Sequence, residues 1–441
     1  MSAVGPDTVI AIDGPSGAGK STVARALAEQ LGLDWLDTGA MYRVVTLAAL
    51  RESIDPRDGE RIAELLKGLA FDVDGSVLLD GEDVSDQIRS SPVDEAVSIV
   101  AAHPEVRRVL VERQRQWVRA HRGGVVEGRD IASVVFPEAR VKVYLTAVES
   151  TRAHRRARED GIAVSEEALK RVARRDRLDR ERKASPLSIP EGSTVIDTTS
   201  LTSPEVVTEI LKILWPPEQR SLFYRGCRIA ARLVSKVLWR VQVEGSSNVP
   251  EVGPVILAPI HRSNLDFLLV SNATRRHLWY MAKDSLWKSR ALGRLLDSLG
   301  AFPVKRGFAD REAFELSRRV LEEGRVLILF PEGTRKSGPR VDELQEGAAY
   351  LALKTGACIV PVGIAGSEEA MPKGAHWFKL TKVFLYVAPP IWPQQAFRGQ
   401  KGHLPRSAVS ALNENLRLAL QSSFELARSR LEAITSQSSV S

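Results

Sequence analysis

A glycine-rich loop near the start of the chain could bind phosphates. Residues 14 to 21 read GPSGAGKS and end in Lys20 and Ser21. Glycine lets the backbone curl closely enough for its N–H groups to surround phosphate oxygens, where larger side chains would block the approach. Lys20 would reach the transferring phosphates, and the Ser21 hydroxyl would help to hold Mg²⁺. The loop therefore predicts nucleotide binding and phosphoryl transfer.

A histidine and a carboxylate in the second half of the chain could act on an alcohol. Asp266 lies five positions after His261. A carboxylate at this spacing can bind one imidazole nitrogen and support the imidazolium that forms when the other nitrogen removes a proton. The pair alone is a weak signal, because a structural histidine can show the same spacing. Together with residues 330 to 335, which read FPEGTR, it indicates acyl transfer to a phosphate-bearing alcohol.

The elements predicted around the glycine loop alternate between strands and helices. A β-branched strand over residues 8 to 13 ends directly in the loop, and a helical pattern follows from Lys20 to Leu31. A phosphate-binding loop requires this strand, loop and helix context. Further strands are predicted at 125–127, 141–145 and 194–196, and a helix at 204–214. The alternation implies an α/β fold with a parallel sheet and helices on both faces.

The second half of the chain also alternates, so it is predicted to be a second α/β domain. Strands are expected at 255–258, 326–330, 359–364 and 383–387, and helices at 309–323 and 343–355. No internal repeat relates the two halves. Because Trp215 is followed by Pro216 and Pro217, and consecutive prolines cannot continue a helix, we place the boundary there. The expected parts are domains over 1–216 and 243–428, a linker with a helix over 217–242, and a disordered Ser-rich tail over 429–441.

Length and composition agree with this division. A chain of 441 residues exceeds what one hydrophobic core usually serves. The net charge of +7 favours anionic partners such as nucleotides, phospholipid head groups or nucleic acid. Cys227 and Cys358 are the two cysteines, which argues against a disulfide framework and fits a reducing cytoplasm. Without a secretory signal or about 18 consecutive apolar residues, any membrane contact is expected to be peripheral.

A basic amphipathic helix is predicted over about 220–241, directly after the boundary. Its cations are Arg225, Arg228, Arg232, Lys236 and Arg240, and its apolar side carries Leu222, Ile229, Leu233, Val237 and Val241. Such a helix can lie on a membrane surface, or it can pack its apolar side on its own domain. The same two alternatives apply to a second apolar stripe, formed by Leu286, Trp287, Leu292, Leu295, Leu296 and Leu299.

Four further segments of the first half give the glycine loop a more specific meaning. They are LDTGAMYR at 36–43, VEGRD at 126–130, the Arg175–Arg182 segment and SPL at 185–187. In this order, over residues 5 to 214, they resemble bacterial cytidylate kinase. The resemblance implies a P-loop nucleoside-monophosphate-kinase fold with a core sheet, a small insert and an arginine lid. It also implies phosphorylation of CMP or dCMP by ATP with Mg²⁺.

The resemblance assigns roles to individual residues. ATP would be bound by Gly14, Pro15, Ser16, Gly17, Ala18, Gly19, Lys20, Ser21 and Thr22, with Lys20 catalytic and Ser21 on the metal. CMP would be bound by Thr38, Arg43, Ser98, Arg107, Arg129, Asp130, Arg175, Asp179 and Arg182. Among these, Arg43, Arg129 and Arg182 would clamp the phosphate, and Arg175 and Asp179 would hold the ribose. Ser98, Arg107 and Asp130 would read the cytosine edge. Asp130 can accept from the cytosine amino group, which uracil lacks, so discrimination against UMP follows.

Three arginines at the start of an arginine-rich stretch, residues 152 to 182, are candidates for the lid. They are Arg155, Arg156 and Arg158. The alternative for this stretch is a solvated helix pair, in which these side chains form surface ion pairs with Glu159 or Asp160.

Three segments of the second half support the histidine and its carboxylate. They are FPVKR at 302–306, FPEGTR at 330–335 and IVPVGI at 359–364. With His261 and Asp266 they resemble the 1-acylglycerol-3-phosphate acyltransferases over roughly residues 240 to 390. The resemblance implies an α/β glycerolipid acyltransferase domain that uses acyl-CoA or acyl-carrier protein as donor.

In this family the histidine activates the acceptor hydroxyl, so His261 would be the base and Asp266 would orient it. Lysophosphatidate would be bound by Lys305, Arg306, Glu332, Gly333, Thr334 and Arg335. The sequence departs from the family at Ile260, where an asparagine is usual. That residue is neither the base nor its partner, so the departure bears on fine positioning. The acceptor hydroxyl attacks directly, so neither cysteine is needed as a nucleophile.

The leading hypothesis is a bifunctional cytoplasmic transferase, peripheral at the inner face of the membrane. Its partners would be ATP, CMP or dCMP, lysophosphatidate, an acyl thioester and the membrane surface. In the alternative, the second half is a non-catalytic module that tethers the kinase to the membrane. Nucleic-acid binding through the arginine stretch explains the positive charge but not the paired Asp and Arg residues, so no nucleic-acid partner is expected.

Overall fold

The chain divides into two compact units, with the division between Leu214 and Trp215. The structure is a computed structural model. It describes residues 7–159, 188–216, 218, 221–304, 311–372, 374–375, 377–393 and 404–437.

A parallel five-stranded sheet forms the centre of the N-terminal unit. The described strands of the whole unit, in chain order, are β1 (Thr8–Asp13), β2 (Trp35–Asp37), β3 (Phe71–Asp72), β4 (Leu78–Leu79), β5 (Glu82–Asp83), β6 (Gly123–Gly128), β7 (Val141–Thr146) and β8 (Thr194–Asp197). The central sheet has the order β2-β6-β1-β7-β8, and β3 to β5 form a small antiparallel sheet of their own. Because β1 and β6 are parallel neighbours, the loops that follow them meet at one edge.

Helices cover this sheet. They are α1 (Lys20–Leu31), α2 (Thr38–Arg51), α3 (Gly59–Gly68), α4 (Ser91–Val100), α5 (Pro104–His121), α6 (Glu149–Glu159) and α7 (Ser203–Leu214), with a π-helical turn at Ile131–Val135. The predicted bounds of β1 and α1 are confirmed. Helix α1 ends at Gly32, whose φ of +69° is the left-handed conformation that favours glycine at helix ends. Strands β2 to β5 were not predicted, since two or three residues are too few to show an alternating pattern.

The C-terminal unit is built on a seven-stranded mixed sheet. Its strands are β9 (Gln242–Glu244), β10 (Val255–Pro259), β11 (Leu278–Lys283), β12 (Ala301–Val304), β13 (Val326–Ile328), β14 (Cys358–Ala365) and β15 (Phe384–Val387). The order is β12-β11-β13-β10-β14-β15-β9, and the one antiparallel pair among these described strands is β14 with β15. Strands β10 and β13 are parallel neighbours, so residues just after each strand meet at the same carboxyl edge.

The helices of this unit are α8 (Leu222–Trp239), α9 (Asp266–Leu269), α10 (Arg290–Ser298), α11 (Arg311–Glu322), α12 (Gly347–Thr355), α13 (Ser367–Ala370) and α14 (Arg406–Gln437). The predicted helices at 309–323 and 343–355 correspond to α11 and α12, and the second α/β domain is confirmed. Strands β9, β11 and β12 were not predicted. No helix within the described ranges combines the length and the apolar character that crossing a membrane requires.

The orientation of α8 differs from that of an ordinary surface helix. Arg228 is buried and donates to the backbone carbonyls of Ser271, Thr274 and Arg276, and Arg232 donates to Thr274 O over 2.6 Å. Two of the predicted cations therefore fasten the helix to its own unit, while the apolar side is exposed. Its exposed side chains are Leu222, Phe223, Ile229, Leu233, Val234 and Val237. In the second predicted stripe, Leu286, Leu292 and Leu295 are exposed, and Trp287, Leu296 and Leu299 are half-buried.

The last helix is longer than the sequence predicted. Helix α14 continues to Gln437, so the prediction of a disordered tail from residue 429 is wrong for 429–437. Leu431 and Ile434 pack against a small apolar cluster around Phe384, and Arg430 pairs with Glu244 at 3.1 Å. Tertiary packing of one side stabilises a helix whose other side is rich in serine. Residues 438–441 lie outside the described residues.

We expect Leu431→Ser to lower the free energy of unfolding of the C-terminal unit by about 1–2 kcal/mol, because it removes an apolar side chain from this packing. Leu418 is exposed on the same helix, so Leu418→Ser is the control and should cost less than about 0.5 kcal/mol. Pulse proteolysis in urea, read on peptides from the C-terminal unit, measures both. Equal effects of the two substitutions would contradict the packing of the last helical turns.

Candidate active sites

The glycine loop connects β1 to α1 at the carboxyl edge of the first sheet. Gly14 and Gly17 have φ angles of +150° and +73°. A Cβ at Gly14 would stand 2.2 Å from Leu145 O, and one at Gly17 would stand 2.5 Å from Arg152 O. Both positions therefore require glycine for conformation and for space. Lys20 at the start of α1 donates from Nζ over 3.0 Å to a carbonyl of the same loop.

A buried glutamate that the sequence analysis did not assign lies beside the predicted metal ligand. Glu127, near the carboxyl end of β6, accepts from Ser21 Oγ over 3.0 Å and from Trp35 Nε1 over 3.2 Å. Burial, and then the charge of Asp37, raise the pKa of Glu127 to about 8. The sequence signal was a carboxylate at the end of a predicted strand. The position of Glu127 beside Ser21 follows from the strand order, in which β6 lies next to β1.

The chemistry of this pair fits Mg²⁺. Magnesium takes oxygen ligands and keeps several waters, so it is usually held by few protein groups together with substrate phosphates. The Ser21 hydroxyl and the Glu127 carboxylate supply two oxygen donors at the base of the glycine loop. Across the described ranges, no group of three or more His, Cys, Asp or Glu side chains forms a metal cage. Ser21 and Glu127 would therefore hold an ion that arrives with a nucleotide.

Asp13 connects the end of β1 to the segment that follows β6. It is buried, and its two carboxylate oxygens accept from Ile131 N and Ala132 N, each over 2.8 Å. Burial raises the pKa of Asp13 to about 6, although the two N–H groups act in the opposite direction. Because Arg129 and Asp130 directly precede these N–H groups, Asp13 fixes the backbone from which both side chains project.

The three predicted readers of the cytosine edge come from separate elements. Arg107 of α5 and Asp130 are both buried and form an ion pair. Ser98 is buried on α4. The structure thus holds a guanidinium donor and a carboxylate acceptor side by side, a combination suited to an edge that carries an acceptor and an amino group. Thr38, at the start of α2, donates from Oγ1 to the backbone carbonyl of Glu127 over 2.7 Å.

Asp94 connects a predicted phosphate ligand with a predicted lid residue. Arg43 of α2 donates to this carboxylate, and Arg156 of α6 pairs with the same oxygen at 3.5 Å. Arg129, another predicted phosphate ligand, donates over 2.6 Å to Gly14 O. Asp94 was not predicted as a site residue, because nothing in the local pattern of α4 separates it from an ordinary surface carboxylate.

Two arginines of α6 support the glycine loop. Arg152 is buried and donates to Ser16 O over 3.2 Å. Arg155 donates to the Thr198 hydroxyl and carbonyl over 2.8 and 2.7 Å, and that hydroxyl binds the loop in turn at Ala18 O. Arg158 is exposed. The remaining predicted site residues, Arg175, Asp179, Arg182, Lys305 and Arg306, lie outside the described residues.

His261 lies at the carboxyl edge of the second sheet, directly after β10. Its Nδ1 is 3.0 Å from Asp266 Oδ2, and the same oxygen accepts from Arg262 N and Ser263 N over 2.7 Å each. The two backbone donors hold this carboxyl group in place beside the imidazole ring. Donation from Nδ1–H to Asp266 leaves Nε2 as the available base. The ring of Phe330 packs on the imidazole, with the centroids 4.3 Å apart.

Glu332 connects this histidine to the FPEGTR segment. Its carboxylate accepts from His261 N over 2.8 Å and from Arg262 Nη1 over 2.7 and 2.8 Å. Both members of the ion pair are buried, and Arg262 Nη2 also donates to Arg340 O over 2.8 Å. The contacts described for the Glu332 side chain are thus with the protein. Direct contact between Glu332 and lysophosphatidate remains a prediction.

The rest of the FPEGTR segment opens toward solvent. Gly333 and Thr334 are exposed and Arg335 is half-buried, while Lys336 N donates to His261 O over 2.8 Å. The unusual Ile260 is buried, and its N–H donates to Val362 O over 3.1 Å. The departure from the family pattern therefore places an apolar side chain in the core beside His261.

The fold and the sites define two classes of unit. The first is a P-loop unit of the kind that binds phosphates, and the second carries a histidine hydrogen-bonded to a carboxylate at the edge of its sheet. Residues 10–215 match the family model for cytidylate kinase, and residues 240–365 match that for acyltransferase. The chain belongs to the cytidylate kinase family and also carries an acyltransferase domain.

Cytidylate kinases from other bacteria match the N-terminal unit over almost their whole length. The cytidylate kinase of Caldanaerobacter subterraneus is 50% identical over 210 residues, which cover 46% of this chain and 93% of the relative. The cytidylate kinase of Bacillus subtilis is 46% identical over 222 residues, which cover 48% of this chain and 97% of the relative. Among solved structures, the 1-acyl-sn-glycerophosphate acyltransferase of Thermotoga maritima aligns with 23% identity and a TM-score of 0.39, covering 51% of this chain and 82% of the other.

The buried Asp13 gives a prediction for the pH dependence of stability. Below about pH 4 this carboxyl is protonated in both the folded and the unfolded chain. Between about pH 4 and pH 6 the unfolded chain loses the proton first, because the folded pKa is raised to about 6. Relative to Asp13→Asn, the wild-type free energy of unfolding should therefore fall as the pH rises through this range, by up to about 3 kcal/mol.

Pulse proteolysis in urea at several pH values, read on peptides from the N-terminal unit, measures this difference. Asp197→Asn is the control, since Asp197 is exposed and Thr199 lowers the pKa of its carboxyl. The difference in the free energy of unfolding between wild type and Asp197→Asn should therefore change with pH in the opposite direction. A difference between wild type and Asp13→Asn that does not change between pH 4 and pH 6 would overturn the account of Asp13.

Proposed function

We propose that the chain is a bifunctional enzyme. The N-terminal unit phosphorylates CMP or dCMP with ATP and Mg²⁺, and the C-terminal unit acylates 1-acylglycerol-3-phosphate to phosphatidate with an acyl thioester. Membership of the cytidylate kinase family supports ATP and CMP as substrates. The observation that carries the second activity is the hydrogen bond between His261 Nδ1 and Asp266 Oδ2 at 3.0 Å.

In the kinase reaction the protein positions the reactants and neutralises charge, and no protein nucleophile is needed. Lys20 and the glycine loop would bind the ATP phosphates, and Arg43, Arg129 and Arg182 would hold the CMP phosphate. The ion pair between Arg107 and Asp130 supports recognition of the base. Bound Mg²⁺ would supply neutralisation of phosphate charge next to Ser21 and Glu127.

Asp130→Asn should reduce the preference for CMP over UMP, because an amide can donate to the uracil carbonyl that a carboxylate repels. We expect kcat/KM for CMP to fall about 10²-fold or more, with a smaller loss for UMP. Initial rates with both nucleotides measure the ratio. Glu138→Gln neutralises an exposed carboxylate eight residues away and should leave the ratio unaltered. An unchanged ratio in Asp130→Asn would exclude Asp130 from base recognition.

In the acyltransferase reaction Nε2 of His261 would remove the proton of the free glycerol hydroxyl. The oxygen then attacks the thioester carbonyl, a C–O bond forms, the C–S bond breaks, and the departing thiolate takes the proton from the imidazolium. The carboxylate of Asp266 supports the positive charge of the ring during this step. Arg335 and the exposed backbone at Gly333 would bind the substrate phosphate, together with Lys305 and Arg306.

Helix α8 supports contact with a membrane surface. Its apolar stripe is exposed because Arg228 and Arg232 fasten the opposite side to the domain. Arg225 and Lys236 are exposed beside the stripe, as expected of a helix that lies on anionic lipid. We propose that the protein is cytoplasmic and binds the inner membrane face peripherally, where lysophosphatidate resides. The same exposure is the observation that favours the alternative, a C-terminal unit that only tethers the kinase.

One experiment tests both activities and this alternative. His261→Ala should lower acyl transfer to lysophosphatidate by about 10²-fold to 10⁴-fold and leave CMP phosphorylation unchanged. Lys20→Ala should have the reverse effect. His154→Ala, at an exposed histidine, is the matched control and should affect neither reaction. If the wild type binds vesicles but shows no acyl transfer that depends on His261, the tether is correct and the second activity is wrong.

A further inference from the structure

An exposed aromatic segment lies between β14 and β15. We refer to Trp377–Leu380 as the aromatic loop. Trp377 is 83% exposed and Leu380 is 72% exposed, and Phe378 between them is also exposed. Single exposed apolar side chains are common on protein surfaces, but three within four residues form a patch that indicates a binding surface.

The aromatic loop is fixed to the carboxyl end of α8. Trp239, the last residue of α8, packs edge-to-face on Phe378 with 5.4 Å between the ring centroids. Its indole N–H donates to Lys379 O over 3.1 Å, and Val383 N donates to Trp239 O over 2.9 Å. Because exposed Val237 lies two residues before Trp239, the exposed stripe of α8 and the aromatic loop meet at this contact.

The aromatic loop is also connected to the catalytic residues. Lys379 N donates to Ala370 O over 2.7 Å, which closes the base of the loop. The next residue, Met371, accepts from Ser263 Oγ over 2.9 Å. Ser263 in turn donates its backbone N–H to the carboxylate that orients His261. Three hydrogen bonds therefore connect the loop to the Asp266 carboxylate.

The charge around this surface points to an anionic partner. No Asp or Glu occurs from Ser221 to Val243 or from Ala370 to Pro393. Arg225, Lys236 and Lys379 are exposed within these two segments. An acidic protein would also match this charge. A bilayer matches both the charge and the exposed indole, which favours the boundary between head groups and acyl chains.

We infer that the aromatic loop inserts into the surface of a bilayer that contains anionic phospholipid, beside α8, and so holds His261 next to its lipid substrate. The inference rests on the proposed acyl transfer to a membrane lipid and adds a second anchor. The loop would bring membrane contact to the catalytic edge, because β14, which precedes it, lies next to β10, the strand that ends before His261.

Vesicles of phosphatidylcholine and phosphatidylglycerol with brominated acyl chains test the insertion directly. Bromine quenches the fluorescence of tryptophans that enter the acyl region. We expect quenching in the wild type and little in Trp377→Phe, which stays apolar but lacks the indole and should still bind vesicles. Trp377→Ser combined with Phe378→Ser should weaken vesicle binding by at least about tenfold.

Trp392 supplies the matched control, because it is an exposed tryptophan at the opposite end of β14. Its neighbour Ile391 bridges to Ile359 near the amino end of that strand. Trp392→Ser should retain the quenching and the vesicle binding of the wild type. If Trp392→Ser removes the quenching and Trp377→Phe does not, the inference is wrong.

Acyl-transfer assays distinguish a failure of this inference from a failure of the proposed function. The double serine variant should lose acylation of lysophosphatidate presented in vesicles, and keep acylation of a short-chain lysophosphatidate dissolved as monomers. Its CMP phosphorylation should equal that of the wild type. Failure of the wild type to acylate either substrate would refute the proposed function, while the quenching result would still decide whether the loop inserts. Wild-type vesicle binding by the double variant would overturn the bilayer as partner. Sedimentation that shows self-association of the wild type but not of the double variant would overturn it as well.

Discussion

The buried ion pair between Arg262 and Glu332 is the interaction on which the acyltransferase half depends. Glu332 follows β13 and Arg262 follows β10, and the parallel pairing of these strands brings them together although seventy positions separate them. The same carboxylate holds the backbone N–H of His261. A buried carboxylate is costly unless it is paired and hydrogen-bonded, so this pair links the strand order to the position of His261.

The kinase half uses the same arrangement with different residues. Asp13 ends β1 and holds the backbone after Arg129 and Asp130, and Glu127 in β6 accepts from Ser21 at the end of the glycine loop. In both units a carboxylate in or just after one parallel strand binds a segment that follows the neighbouring strand. Such links tie two loops to one rigid sheet edge, and substrates of open parallel sheets bind at this edge.

Local patterns allowed much of this fold to be predicted, because β1 and α1 contain apolar residues at clear strand and helix spacing and a glycine-rich loop between them. Strand order has no local signal, so the sequence indicated neither the place of Glu127 beside Ser21 nor the contact of Asp94 with two arginines. The pattern of α8 gave its basic and apolar sides correctly. It could not show that Arg228 faces inward, because the acceptors are backbone carbonyls of residues 271–276. The prediction of a disordered tail was wrong for the same reason. The last turns of α14 depend on packing of Leu431 near Phe384, which is distant in sequence.

A double-mutant cycle on Arg262 and Glu332 tests most directly whether this pair joins the two acyltransferase motifs. The measured quantity is the free energy of unfolding of the C-terminal unit for Arg262→Leu, Glu332→Leu and the double variant, read by pulse proteolysis in urea. Each single variant leaves one charge buried without its partner and should cost about 3–5 kcal/mol. The double variant should then cost little more than either single variant, which corresponds to a large coupling energy. Additive costs would show that the two residues act independently and would contradict the account.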